Sequence, residues 1–500
     1  MFCVGIILIC LFISLCQPKP SDKLPYLNPP KAFGFLEQPQ KNAFLFNVRS
    51  LMATARLEFP GQPYRLFTNV GETIVVPSEF ADGIRNEPGL SLMGSLAEKF
   101  HSHLPGFEGF AAGVRPDGLV PLVVKKHITK IPNQITGPLS SETQYAVDLI
   151  FGKSSEWHES KVKGDMLDLI SRLSSRVFLG AELCRNEAWL SIIKSYTVNA
   201  FQGAEMLHGY PSWLRFVVQW SNPQCKVLRQ QVSDANKIIR PVLQGRRNQR
   251  QKAQRNGELA PSYDDGIDWL EEESNGRDYD ATGAQLCLSI VALYTATDLL
   301  VETVLRIVEH PDLLMDLRKE IVEALRLGGW QKSTLFEMKL LDSVLKETQR
   351  LKPVASAMMT RKVTADVTLP NGLQLRKGER CIVDIGKMSD PVIYPDPEKF
   401  DAYRFVRMRN NPELASQAYL ISTSPSHLGF GHGKHSCTGR FFAACELKIA
   451  LAHLLIKYDW KLVPGHEHRW QEYGFDWLAD GNARLLVRRR EVVEMDIDTI

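Results

Sequence analysis

The sequence predicts a mainly α-helical protein with small antiparallel β-sheets, one large domain behind an apolar N-terminal segment. Three observations lead there. Apolar residues recur at three- and four-residue spacing from about residue 122 to 310, as in Met166, Leu167, Ile170, Leu173 and Val177. Strand-like runs are short and sit in pairs around turn residues. No linker or repeat interrupts the chain beyond about residue 60. Of the 500 residues, 44% are hydrophobic and 23% charged, enough apolar content for a substantial core. A net charge of +3 is close to balance and argues against a nucleic-acid-binding surface. The nine cysteines are scattered and odd in number, so no disulfide framework is expected. The absence of any Asn-x-Ser/Thr site agrees with a body that stays outside the secretory lumen.

Taken in order, the first sixteen residues, MFCVGIILICLFISLC, carry no charge. They are short for a bilayer span of about 20 residues. They also lack the positive n-region of a signal peptide. Lys19 and Lys23 follow the apolar run, which places the rest of the chain on the cytosolic side. A membrane anchor over residues 1–17 is the favoured reading, with a signal peptide or a buried segment as alternatives. Prolines at 18, 20, 25, 29 and 30 then make a stiff spacer, so residues 18–60 are expected to form a hinge and linker, and 61–500 the main domain. Asn69-Val-Gly71 between Tyr64–Thr68 and Thr73–Val76 predicts a hairpin. The polar stretch 244–257 reads as a solvated helix end and loop. Residues 282–309 form the longest uninterrupted helical candidate, closed by Pro311, which opens another helix through Leu325. A further helix spans 340–352 before Pro353. Asn371-Gly372 marks a second hairpin, followed by a strand over 381–383.

Near the C-terminus the chain reads Phe430-Gly-His-Gly-Lys-His435-Ser-Cys437-Thr-Gly439-Arg440, followed by Phe441, Phe442, Ala443 and Ala444. Gly431 and Gly433 permit positive φ and close backbone approach. Gly439 removes a side chain where the following helix would lie against a flat ring. A cysteine at that helix's N-terminus faces unpaired amides and the positive dipole end, which favours its anion. His435 can donate to a carboxylate. Zinc on His432, His435 and Cys437 falls short of the four ligands that structural sites use.

This segment resembles the haem-binding signature of the cytochrome P-450 haem-thiolate monooxygenases, matching at Phe430, Gly433, His435, Cys437 and Gly439. The resemblance extends over nearly the whole chain and is strongest to filamentous-fungal members, in segments such as Leu341–Glu347 and Asp401–Arg404. It implies the cytochrome P-450 fold over 61–500 and haem b (iron protoporphyrin IX) held by the thiolate of Cys437, with Phe430, Gly431, Gly433, His435 and Gly439 around it. It also implies a structural triad of Glu347, Arg350 and Arg404, although Ala402 and Tyr403 depart from the family's Pro-Glu. Arg361 falls where members carry a basic residue that reaches a haem propionate. In the long helix, Ala292, Tyr294 and Thr295 align with the family's glycine, acid and threonine, and Thr297 is the alternative threonine. Tyr294 and Thr295 are therefore the catalytic candidates, but a tyrosine with a pKa near 10 cannot act as an ionised carboxylate. Lys434, Arg440 and Lys448 are candidates for a positive face that docks an electron donor.

The expected activity is oxidation of a lipophilic secondary metabolite of terpenoid, indole-diterpenoid or polyketide type. Dioxygen would be used, with electrons from an NADPH-dependent flavoprotein reductase and cytochrome b5 as a second candidate donor. No dinucleotide fingerprint or flavin module lies in the chain, so the reductase is a separate protein. The resemblance to microsomal members places the protein in the endoplasmic reticulum membrane by a single span, with the catalytic domain cytosolic. A haem-thiolate isomerase or dehydratase that needs no dioxygen, and a non-catalytic haem sensor, are the alternatives.

Overall fold

The computed structural model describes residues 24–30, 38–129 and 133–500, so the segment expected to form an anchor over 1–17 lies outside the described residues. The turn at Asn69 and Val70 joins strands β1 (Tyr64–Thr68) and β2 (Gly71–Val76) into the expected hairpin, with Gly71 at φ 103°. Strand β3 (Leu90–Ser91) lies at the far edge of the same sheet, and β4 (His158–Lys161) belongs to another. Strands β5 (Ala357–Val363) and β8 (Arg380–Asp384) flank the predicted Asn371-Gly372 hairpin of β6 (Val367–Thr368) and β7 (Gln374–Leu375). The resulting five-stranded order is β1-β2-β8-β5-β3. Its β2–β8 pair is parallel, the one parallel pairing among the described strands, and the helical body forms the long crossover that parallel strands require. The remaining strands, β9 (Tyr458–Leu462), β10 (Gln471–Tyr473), β11 (Asp476–Leu478) and β12 (Arg484–Arg489), form small antiparallel sheets, β12 pairing with both β4 and β9.

Within the region expected to be a hinge and linker, Gln38–Glu58 is a helix. Its Phe44, Leu45, Val48, Met52 and Ala55 are buried against Tyr64 and Leu66 of β1 and Val75 of β2. Arg56 closes the contact with a 2.7 Å ion pair to Asp384. Ahead of it, the proline-bearing segment 24–30 runs beside β1, where Leu27 donates to the Arg65 carbonyl and Arg65 to that of Pro25.

The helical body centres on Ala281–Val308, one residue longer at its start than predicted and one shorter at its end. It is buried by Val162–Leu183, Glu108–Gly113 and Arg440–Lys457. The crossing with Glu108–Gly113 is close because a Cβ on Gly109 would stand 2.7 Å from Ile290 Cδ1. Among the described residues this is the helix long and apolar enough to cross a membrane, yet 78% of its most apolar window is buried, so it is a core helix. The polar stretch 244–257 is helical almost to its end. It completes the helix Pro223–Asn256, which Asn222 caps at its start and Gly257, at φ 68°, ends. Short i,i+4 polar contacts such as Gln244 to Asn248 sustain it, so the expected loop begins only after Gly257. Pro311–Gly328 and Lys339–Leu351 stand where predicted.

Candidate functional site

The loop before Arg440–Lys457 folds as its glycines allow. Gly431 and Gly433 have φ of 67° and 80°. A Cβ on Gly433 would lie 2.4 Å from that of Arg85. The Cys437 amide closes the loop on the Phe430 carbonyl at 2.8 Å. Gly439 stands at the start of the helix, where its amide and that of Arg440 favour the anionic form of the Cys437 sulfur. Cys437 is a free, accessible thiol. Desolvation by the surrounding protein pushes it up, and those two amides and the Arg440 guanidinium oppose the rise.

Two nitrogen donors stand near this loop without a counter-charge. Arg361, on β5, is 1% exposed, and its Nη1 donates to the Thr360 carbonyl at 2.8 Å. Its Nε and Nη2 have no protein partner, an arrangement that is costly for a buried cation unless an anion meets it. Burial, then the charges of Arg361 and Lys434, push His435 down to about 4. An accessible thiol at a helix N-terminus beside an orphaned guanidinium and an imidazole fits a haem with its iron and carboxylates. His432 is engaged elsewhere, Nδ1 with Thr423 and Nε2 with Asp82, each at 3.2 Å. Among the described residues, the grouping spaced to hold a metal ion is His127, Glu272 and Glu273, without Cys437.

The helix Lys339–Leu351 carries charge into the core, with every residue from Leu340 to Arg350 buried. Glu347 receives two bonds from Arg350 (2.8 and 2.9 Å) and one from Arg404 (3.0 Å). Arg350 also donates to the Met388 carbonyl, and Arg404 to that of Pro395. The three residues are thus brought together, and Ala402 and Tyr403 do not disturb the contact.

On the long helix, Val291 (60% exposed) and Thr295, one turn apart, form an exposed stripe on an otherwise buried element. The Thr295 hydroxyl donates to the Val291 carbonyl at 3.0 Å. Thr297 is fully buried, so it is Thr295 that reaches an accessible face. Tyr294 points elsewhere, its hydroxyl donating to the Lys194 carbonyl at 3.0 Å.

The expected positive face is reduced. Lys448 is buried, with Nζ 2.8 Å from Asp342 and from the Leu335 carbonyl. Arg440 folds onto the Cys437 carbonyl (2.7 Å) and the Ile421 carbonyl (3.0 Å). Lys434 alone of the three is exposed. Two features escaped the sequence reading. The Thr129 hydroxyl donates to the carbonyl of Thr438, the residue after Cys437, at 2.9 Å, a contact no local pattern signals. The helix Ser212–Ser221 exposes Trp213, Phe216, Val217 and Trp220, and their i, i+3, i+4, i+7 spacing was its available signal.

The family model described as Cytochrome P450 matches residues 141–476. The cytochrome P450 monooxygenase hepE of Aspergillus oryzae is 43% identical over 95% of this chain and 87% of its own. The dihydro-ML-236C monooxygenase mlcC of Penicillium citrinum is 40% identical over 86% of this chain and 83% of its own. Among solved structures, the retinoic acid-bound cyanobacterial CYP120A1 superposes with a TM-score of 0.66 at 18% identity, covering 89% of this chain and 95% of that one, a likeness of fold. With its fold, its family model and its fungal relatives in agreement over most of its length, this chain belongs to the cytochrome P450 family.

Proposed function

We propose that Cys437 is the axial ligand through which this haem-thiolate monooxygenase holds its haem b, and that His435 and Arg361 meet the haem carboxylates. The enzyme class and the cofactor follow from the family. A haem held by this thiolate would supply dioxygen activation and the insertion of one oxygen atom into an unactivated C–H bond. The chain's own residues bind, orient and exclude water. The accessible Cys437 sulfur, facing two helix-terminal amides, is the observation that carries the assignment. Glu347, Arg350 and Arg404 brace the segment leading to the loop, and Thr129 and Arg440 hold the successive carbonyls of Thr438 and Cys437. The Val291–Thr295 stripe lines the substrate side, where Thr295 positions water for proton delivery.

The substrate is lipophilic, and the monooxygenase relatives from fungi support a secondary metabolite of terpenoid, indole-diterpenoid or polyketide type. The redox partner is an NADPH-dependent flavoprotein reductase. Residues 1–17 anchor the protein in the endoplasmic reticulum membrane, and the apolar face of Ser212–Ser221 rests on the same bilayer. Trp213 is 77% exposed and Trp220 56%, unusual on a surface that water alone covers. Among the described residues, the proline-bearing segment 24–30 lies at the same end of the molecule as that helix. Asn28 brackets Phe67 at the end of β1, and Asn69 in the following turn bonds Glu205, just ahead of that helix.

Carbon monoxide added to the reduced protein should give the red-shifted Soret band of a thiolate-ligated haem. Cys437→Ala should abolish it and Cys445→Ala should keep it. Survival of the band in Cys437→Ala would reject the assignment.

A further inference from the structure

Tyr294 stands where the resemblance places an acid, one residue before Thr295. Its hydroxyl proton is committed to the carbonyl of Lys194, 3.0 Å away on the helix Glu187–His208. Lys194 is itself tied by an ion pair to Asp168, on the helix Val162–Leu183. Burial pushes the phenol up to about 12, and the neighbouring negative charge of Asp298 adds to the rise. The acid nearest Thr295 along the long helix, Asp298, is committed as well. It accepts from the Ala479 amide at 2.9 Å and the Lys352 ammonium at 3.3 Å, with Lys163 at 3.7 Å. Neither group is free to pass protons to Thr295.

The helix that Tyr294 grips is held by a second phenol. Tyr196, on that helix, donates to the Gly106 carbonyl at 2.9 Å and accepts from the Gly109 amide at 3.3 Å. Beyond these two contacts, toward its C-terminus, the helix exposes Val198 and Phe201. Phe201 meets Phe100 and Phe110 edge-on, at 5.2 and 5.7 Å. A shift of the helix would therefore move apolar side chains, whereas the backbone around Thr295 would stay within its own helix.

We infer that Tyr294 is a positioning residue whose hydroxyl fixes the helix Glu187–His208 against the long helix one residue from Thr295, and that it takes no part in proton delivery. The inference rests on the reading that the Thr295 face is the substrate side. Ordered water is then left to carry protons, held by the Thr295 oxygen, which bonds back to the Val291 carbonyl and can still accept from water.

The test is Tyr294→Phe in the full-length holoenzyme, which removes one oxygen and keeps the ring. Amide hydrogen exchange in 187–208 should quicken about fivefold, the worth of one net hydrogen bond. The dissociation constant of 1-phenylimidazole, read from its spectral shift, should rise about as much. The pH profile of NADPH consumption should stay unchanged. Unchanged exchange overturns the clasp. A displaced pH profile, restored by Tyr294→Glu, overturns the exclusion from proton delivery. Hydrogen exchange needs no turnover, so the clasp is judged separately from the haem assignment, which the Cys437 variants decide.

Discussion

The cysteine loop and the long helix carry the residues proposed for the two sides of the site, and they are built by opposite means. The loop works through its backbone. Two positive-φ glycines turn it, its amides close on the Phe430 carbonyl and face the Cys437 sulfur, and side chains from elsewhere hold its carbonyls. The long helix is regular throughout, and its message lies in which side chains interrupt its burial: Val291 and Thr295 facing an accessible side, Tyr294 gripping a neighbour. A backbone device tolerates few residue types at each position, whereas a helix face tolerates many. The loop should therefore fail by losing its shape, and the helix by losing efficiency.

Three substitutions would break or sharpen that contrast. The largest effect is expected for Glu347→Gln, which leaves Arg350 and Arg404 buried without their shared carboxylate. Destabilisation of about 3–5 kcal/mol should appear in denaturant melts, together with loss of bound haem. Gly433→Ala comes next, at about 3 kcal/mol from a positive-φ alanine and its collision with Arg85. Haem content after purification would report it, and full retention would show that the loop yields more easily than its contacts imply. Thr295→Ala should be the mildest. Its fold and its carbon monoxide spectrum should match the parent, while product formed per NADPH falls roughly tenfold. An unaltered ratio would move proton delivery to water alone and weaken the contrast from the helix side.

The same distinction explains what could be read from the amino acids. Cys437 and its glycines were legible because close approach and positive φ narrow the choice of residues. Glu347 and Arg350 are a turn apart on one helix, but Arg404 joins them through 57 residues of chain and was placed by resemblance. Lys448 and Arg440 look like surface cations in sequence. In the fold one neutralises buried Asp342 and the other clasps loop carbonyls, and these partners lie far away or run through backbone atoms without a signature. Tyr294 illustrates the limit most clearly, since an aligned position does not reveal where a hydroxyl points. The helix Gln38–Glu58 was hidden by its polar composition and by the prolines ahead of it, and β1 and β2 give it a partner.

That last helix bears on how the protein is handled. A truncation meant to release the catalytic body from lipid should cut before Gln38, because a boundary drawn near residue 61 strips the cover from Tyr64, Leu66 and Val75 and removes the partner of Asp384. The freed sheet would offer a greasy face to other copies of itself, and a product that clumps after such a cut would owe its behaviour to the missing helix rather than to the absent membrane segment.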